Sequence, residues 1–311
     1  MMPDDAGALY RRMRLIPSWD YARCAAPSVA VVGLGGLGAM SLQLLVLLGL
    51  GEQGETVLID PDTIEPSNRT RIPYATPGDD GALKVEVAER WVRAVRPARW
   101  VRTVPLPVHA LDAQEAIAAC DVLVGAVDSE LARLVMNHLA HAFCLPYIDG
   151  GAGFLVTEVD GERLVHGGGQ VRLVVPGATP CLLCNLGLDR DALDREVMAL
   201  ALEGNAGEHA VLEASGYIRG LASGAEQPSA AHVNALVGGA LVTMLLEYLL
   251  VGLSDHHALH LDLEAMAWMR STAVARPHCA ACQADDGGHG RWWSVDDVVV
   301  PLALGPEAAS D

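Results

Sequence analysis

Positive charge is scarce in this chain. Lysine and arginine total 21 against 39 aspartate and glutamate, a formal net charge of -18 over 311 residues. A surface of that sign repels phosphate backbones and anionic bilayers, so no nucleic-acid or membrane partner is expected. No GxxxxGKS or GxxxxGKT loop occurs, which excludes P-loop chemistry. The opening MMPDDAGALYRRMRL carries charges with no apolar core behind them, so no signal peptide is expected and the protein is placed in the cytoplasm. No internal repeat is present. One stretch, 233–253, is long enough to cross a bilayer, but it carries Asn234 and Glu247 and is read as a helix of a globular core. Seven cysteines, an odd number without an export signal, argue against a disulfide framework.

What is present is an alternation of strands and helices. VAVV at 29–32 runs into a glycine turn at Gly33, Gly35, Gly36 and Gly38, and an apolar helix follows over 37–49. Strands are expected at 56–60, 100–108, 121–128 and from 146, with helices at 82–95, 112–119 and 130–142; 61–81, rich in proline, is mainly loop. This order implies a Rossmann-like, doubly wound, mostly parallel α/β sheet, whose ligand lies beyond the carboxyl ends of the strands. Gly33 to Gly38, Asp60 and Asp128 all fall at those ends. After residue 150 the pattern changes to short strands, GFLVTEV and QVRLVV, expected to be antiparallel. A crossover segment rich in Ala, Gly and acids, 185–228, precedes the long helix, and HLDLEAMAWMRSTAV supplies one or two last strands. The expected organisation is a single domain over 1–286, its nucleotide part about 9–150 and its second part about 151–286, with a frayed tail at 287–311.

The glycine turn alone does not name its nucleotide. Gly33 allows a tight bend, Gly35 a close approach to phosphate or ribose, and Gly38 close packing of helix on strand. Asp60 can accept from two ribose hydroxyls, which suits NAD and ATP equally. IDPDTIEPSNRTRI (59–72) adds Asn68 and Arg71, Lys84 opens the next helix, and Asp128 closes the fourth strand. Hydride transfer needs no such ring of charge. Phosphoryl chemistry does, with cations facing a triphosphate and an acid holding Mg²⁺.

GLGGLG, then DPDTIEPSNRTR, Lys84, AVDSELARLVMN and two CxxC pairs together resemble the ThiF/MoeB/HesA adenylyltransferases, over roughly residues 9 to 283. The resemblance implies ATP- and Mg²⁺-dependent adenylation of a carboxylate. The typical substrate is the C-terminal glycine of a ubiquitin-like or sulfur-carrier protein; the alternative is a peptide or small-molecule carboxylate in natural-product biosynthesis. It places Gly35 and Gly36 against the nucleotide and Asp60 on the ribose. Asp62 joins the nucleotide-binding set, and Asn68, Arg71 and Lys84 attend the phosphates. Asp128 becomes the Mg²⁺ ligand. LYRRM (9–13) is similar to the family's N-terminal arginine motif, which puts Arg12 across a homodimer interface into the partner's site. Two positions depart from the family: Ile72 replaces a glutamine, and Arg69 replaces a leucine and is open to a phosphate contact.

PCLLC and HCAAC offer Cys181, Cys184, Cys279 and Cys282, and two such pairs form a closed tetrahedral zinc site. A redox CxxC normally needs a single pair at a helix start. Cys120 and Cys144 are read as packing residues. Residues 185–278 contain no cysteine, so no thioester step is expected on the crossover. A dehydrogenase with structural zinc leaves Asn68, Arg71 and Lys84 unexplained, and a dead scaffold leaves the intact acids unexplained. The helices at 37–49 and 233–253, apolar nearly all round, point to an oligomer, and a two-fold homodimer is expected.

Overall fold

The computed structural model describes residues 7–159, 162–185, 187–201, 228–271, 274–276, 279 and 281–282. One eight-stranded sheet runs through them in the order β3-β2-β1-β4-β5-β6-β7-β8. The first five strands are β1 (Val29–Val32), β2 (Glu55–Ile59), β3 (Trp100–Val104), β4 (Val122–Gly125) and β5 (Tyr147–Val159). Each is parallel to its neighbour in the sheet, with Val29 opposite both Thr56 and Val122. VAVV and VLVG are buried at every position because helices cover both faces, which is why they read as unbroken apolar runs.

On one face lie α2 (Gly36–Leu47), α3 (Lys84–Val95) and α7 (Ala231–Leu250); on the other lie α4 (Leu111–Ala118) and α5 (Glu130–Ala142). The short α1 (Tyr21–Ala25) precedes β1, and α6 (Arg190–Ala201) belongs to the crossover. In α3, Val85, Ala88 and Val92 face inward at helical spacing. α2 and α7 lack a polar face because they pack on each other as well as on the sheet, Gly238 lying against Met40 and Ser41. α7 is long and apolar enough to cross a membrane, but Val233, Val237, Leu241 and Leu245 are core residues packed over β5 and β6.

The second half departs from expectation in one respect. GFLVTEV is not a separate short strand. It continues β5, which runs 13 residues and pairs antiparallel with β6 (Glu162–Val174) from Tyr147↔Val174 to Val159↔Glu162. Gly150, Gly151 and Gly153 interrupt the apolar pattern without interrupting the backbone, so one strand reads as two. Of the residues 159–168, Val159 ends β5 and 162–168 belong to β6. β7 (Ala258–Asp262) and β8 (Ala267–Ser271) complete the sheet, antiparallel. β3 ends at Val104 rather than 108, where Pro105 and Pro107 remove ladder donors. Within 61–81, two 3₁₀ turns, Pro66–Thr70 and Pro77–Asp79, start on proline. Cys120 is buried as expected, but Cys144 is exposed. It follows the end of α5 in a left-handed conformation, φ 55°, which turns it out of the core. The expectations for 202–227 and for the tail from 287 lie outside the described residues.

Candidate active site and metal centre

The strand order reverses between β1 and β4, and the glycine turn lies at that crevice. Gly33 has φ +85°, and a Cβ there would stand 2.6 Å from the Ala126 carbonyl oxygen and 2.9 Å from Val127 Cγ1. The turn after β1 is thus pressed on the loop after β4, and a Cβ at Gly38 would strike the Gly33 carbonyl. Gly35 is different: among the described residues nothing stands within 4 Å of where its Cβ would be. Among the described residues its backbone faces open space at the N-terminus of α2, where unpaired N–H groups favour an anion. Gly36 differs again. Its missing side chain is replaced by the amide of Asn234 from the first turn of α7, with Arg71 Cδ 3.1 Å away. Asn234 is 2% exposed and donates to Ser229 Oγ at 3.1 Å. It was legible in the sequence only as a polar interruption of an apolar helix.

Asp60 follows β2 and is buried. Its Oδ2 accepts from the Leu34 N–H at 2.6 Å and its Oδ1 from the Asp62 N–H at 2.9 Å, which ties it to the glycine turn. Burial pushes the Asp60 carboxyl up, while Lys84 and these two N–H groups pull it back. Lys84, the single lysine of the 311 residues, sits with Nζ 2.7 Å from Asp62 Oδ2 and 3.9 Å from Asp60 Oδ1. Asp62 therefore orients the lysine, its carbonyl also accepting the Lys84 N–H at 2.9 Å.

Asn68 is buried, and its Oδ1 accepts from the Glu65 N–H at 3.3 Å, closing the 3₁₀ turn. This fixes Arg71, whose backbone N–H donates to the Asn68 carbonyl at 2.9 Å. The Arg71 stem then lies beside Gly36, and its guanidinium makes no ion pair among the described residues. Arg69 stands 3.5 Å from Asp80 and donates from Nε to the Pro66 carbonyl of its own turn. Ile72 is buried against Ala39, Ile64 and Val87, an apolar niche that a glutamine would not suit.

Asp128 is exposed on the loop after β4, directly following Val127, which touches the Gly33 turn. Beneath this loop lies a buried charged group. Arg133 donates to the Val127 carbonyl at 3.0 Å and to Glu130 Oε1 at 2.5 Å, and its Nε stands 3.5 Å from Asp149 Oδ1. Tyr147 donates to the same Asp149 oxygen at 2.8 Å, and burial pushes its hydroxyl well above the usual phenol range. Arg133 thereby pins the Asp128 loop to β5; only its place in the AVDSELAR run hinted at this. The crossover reaches the same loop through Glu196, whose carboxylate accepts from Ser129 Oγ, Glu130 N and Leu131 N.

Arg12 stands apart. Tyr10, two residues before it, is buried at the far end of α2, donating to Glu52 Oε2 at 2.6 Å and packed on Gly49. α2 has 12 residues, so this anchor is about 18 Å from Gly36 along the helix axis. Arg12 itself is exposed.

The four cysteines of the two CxxC pairs converge, their sulfurs all within 4.8 Å of one another. Cys181 Sγ to Cys279 Sγ and Cys184 Sγ to Cys282 Sγ are each 3.6 Å. Tetrahedral zinc with Zn–S near 2.3 Å requires edges of about 3.8 Å, so the donor set fits that ion. The hydrogen bond between Cys181 and Cys279 pulls the Cys279 thiol down and pushes the Cys181 thiol up. The Leu182 N–H donates to Asn137 Oδ1 at 2.9 Å, seating the knuckle on α5 about 12 Å along the helix from the Asp128 loop.

An open glycine turn at a topological switch point, a buried strand-end acid, a paired lysine and a four-cysteine cluster that could hold zinc define an α/β protein of the nucleotide-binding type. The chain belongs to the ThiF family, whose sequence profile matches residues 9–284. It is 33% identical over 167 residues to the SAMP-activating enzyme E1 of Haloferax volcanii, covering 52% of this chain and 54% of that protein. It is 27% identical over 186 residues to ubiquitin-like modifier-activating enzyme 5 of Drosophila willistoni, covering 56% and 42%. The chain thus spans about half the length of the curated relatives it matches. Among solved structures, Escherichia coli MccB with ATP aligns with TM-score 0.60 at 19% identity, over 84% of this chain and 68% of that one. MccB with the MccA-N7isoASN peptide gives 0.64 at 19% identity, over 88% and 74%. These likenesses show the fold.

Proposed function

We propose that this chain is an ATP-dependent adenylyltransferase that activates a carboxylate and releases pyrophosphate. The preferred substrate is the C-terminal glycine of a ubiquitin-like or sulfur-carrier protein. The observation that carries the reading is the convergence of an open backbone at Gly35 with Asp60, Lys84, Arg71 and the Asp128 loop at one crevice. The N–H groups at the start of α2 would hold phosphate, and Asp60 would accept from ribose hydroxyls. Lys84 and Arg71 would face the triphosphate, and Asp128 would hold Mg²⁺, which supplies charge neutralisation at the phosphate under attack. An oxygen of the acyl carboxylate attacks the α-phosphorus, and the bond to the pyrophosphate oxygen breaks. Residues 185–278 carry no cysteine, so the acyl-adenylate passes to a thiol or amine outside that segment.

The unit that performs this is one adenylation domain over 1–286, a cytoplasmic homodimer in which Arg12 serves the partner's site. Two observations support the in-trans arrangement: the Tyr10 anchor lies at the wrong end of α2 for Arg12 to serve its own chain, and Leu236 and Leu47 leave apolar side chains exposed on the paired helices α7 and α2. A peptide or small-molecule carboxylate is the second substrate class, since the nucleotide side of the site is indifferent to what bears the carboxylate. ATP–pyrophosphate exchange, driven in turn by a small protein ending in glycine, by peptides and by amino acids, tests both. Exchange above background with one class assigns the substrate, and none with any carboxylate refutes the reading.

A further inference from the structure

Resting on that reading, we infer that Glu196, from the crossover helix α6, is a positioning residue for Asp128. The donors it takes are those of the turn that immediately follows Asp128. Ser129 Oγ donates at 2.7 Å and the Leu131 N–H at 2.9 Å to Glu196 Oε2, and the Glu130 N–H donates at 3.0 Å to Oε1. Ser129 Oγ meanwhile caps the Ala132 N–H at 3.1 Å. The first N–H groups of α5 are thus all satisfied, two of them by a carboxylate brought from 66 and 65 residues away. An ordinary cap comes from within its own turn.

The contact is reciprocal. Glu130 Oε2 accepts from the Asp189 N–H at 3.1 Å, and Asp189 Oδ1 caps α6 through the Ala192 N–H at 3.1 Å. Leu193, three residues before Glu196 and so on the same side of α6, is buried in the core with Leu131 and Leu134. The helix is therefore seated by an apolar contact that does not need the carboxylate. What the carboxylate adds is orientation of residues 129–131. Arg133 holds the loop from the other side, through the Val127 carbonyl. Asp128 lies between these two fastenings, exposed and free to meet a metal.

Such outer fastenings of a metal-holding acid are worth about 10- to 100-fold in metal affinity. Calorimetric titration of the full chain with α,β-methylene ATP, with and without Mg²⁺, reads this without turnover. For Glu196→Ala the expected result is about a tenfold or larger loss of affinity with Mg²⁺ and a change of less than about twofold without it. Glu196→Gln keeps an acceptor oxygen and should recover part of the loss. Asp194→Asn, an exposed acid on the same helix, should match wild type. Unchanged Mg²⁺ dependence in Glu196→Ala overturns the inference, as does equal weakening with and without Mg²⁺, the mark of a merely structural role. Tighter binding overturns it too, since Glu196 would then be competing with the nucleotide. If wild type itself binds no nucleotide, the adenylation reading falls first and this inference with it.

Discussion

Replacing Gly36 by alanine tests the link between the glycine turn and α7. Gly36 is the first helical residue of α2, so alanine gains up to about 1 kcal/mol of helix propensity. Against this, its Cβ would occupy the place of the Asn234 amide and come within 3.1 Å of Arg71 Cδ. Overpacking of this kind costs about 1–3 kcal/mol. Displacing Asn234 also breaks its bond to Ser229 and leaves a buried amide without a partner, about 1–3 kcal/mol more. The net expectation is a loss of about 1–5 kcal/mol. The two residues together allow a sharper expectation. In an Asn234→Ala background the space beside Gly36 is vacant, so the second substitution should cost close to nothing. A double-mutant cycle by urea unfolding should therefore give a coupling energy of about 1 kcal/mol or more, with the double variant more stable than the sum of the single losses. Additivity within about 0.5 kcal/mol would refute the reasoning.

Purified without chelator, the protein should carry one zinc per chain by metal analysis. Cys181→Ser should lose it and unfold at lower temperature, because metal-binding energy at such a site is folding energy; a metal-free protein of wild-type stability contradicts this. Asp128→Ala should keep the fold, being exposed, and lose about 10²-fold or more in pyrophosphate exchange; near-wild-type exchange removes Asp128 from its role. Mixed Arg12→Ala and Asp128→Ala chains should regain activity that neither has alone, since one site per mixed dimer is intact. A fully active monomer by light scattering excludes the shared site.

What was legible in the sequence was what is local in the chain. Gly33 announces a left-handed turn, Asp60 a strand end, and the paired CxxC motifs a four-sulfur site, and each lies where the pattern put it. Contacts of long sequence separation left no such mark. Glu196 is one acid among several in an acid-rich segment, and only the fold brings it to α5. Asn234 read only as a polar residue arguing against a membrane span, whereas its amide fills the space at Gly36. The strand pattern failed where glycines replace apolar residues in β5, because periodicity is carried by side chains and the hydrogen-bond ladder is not. Nor did the pattern around Arg69 announce Asp80, which stands 3.5 Å from its Nε across the loop.

Lys84 is the sole ε-amine in these 311 residues, and Asp62 and Asp60 hold it beside the glycine turn. An acyl-adenylate is an electrophile toward amines, so in the proposed reaction a product leaving the crevice would meet no other lysine on the chain. The same scarcity gives the site a private chemical address. An amine-directed reagent has one side chain to label, and its rate reports directly on whether that crevice is open or filled.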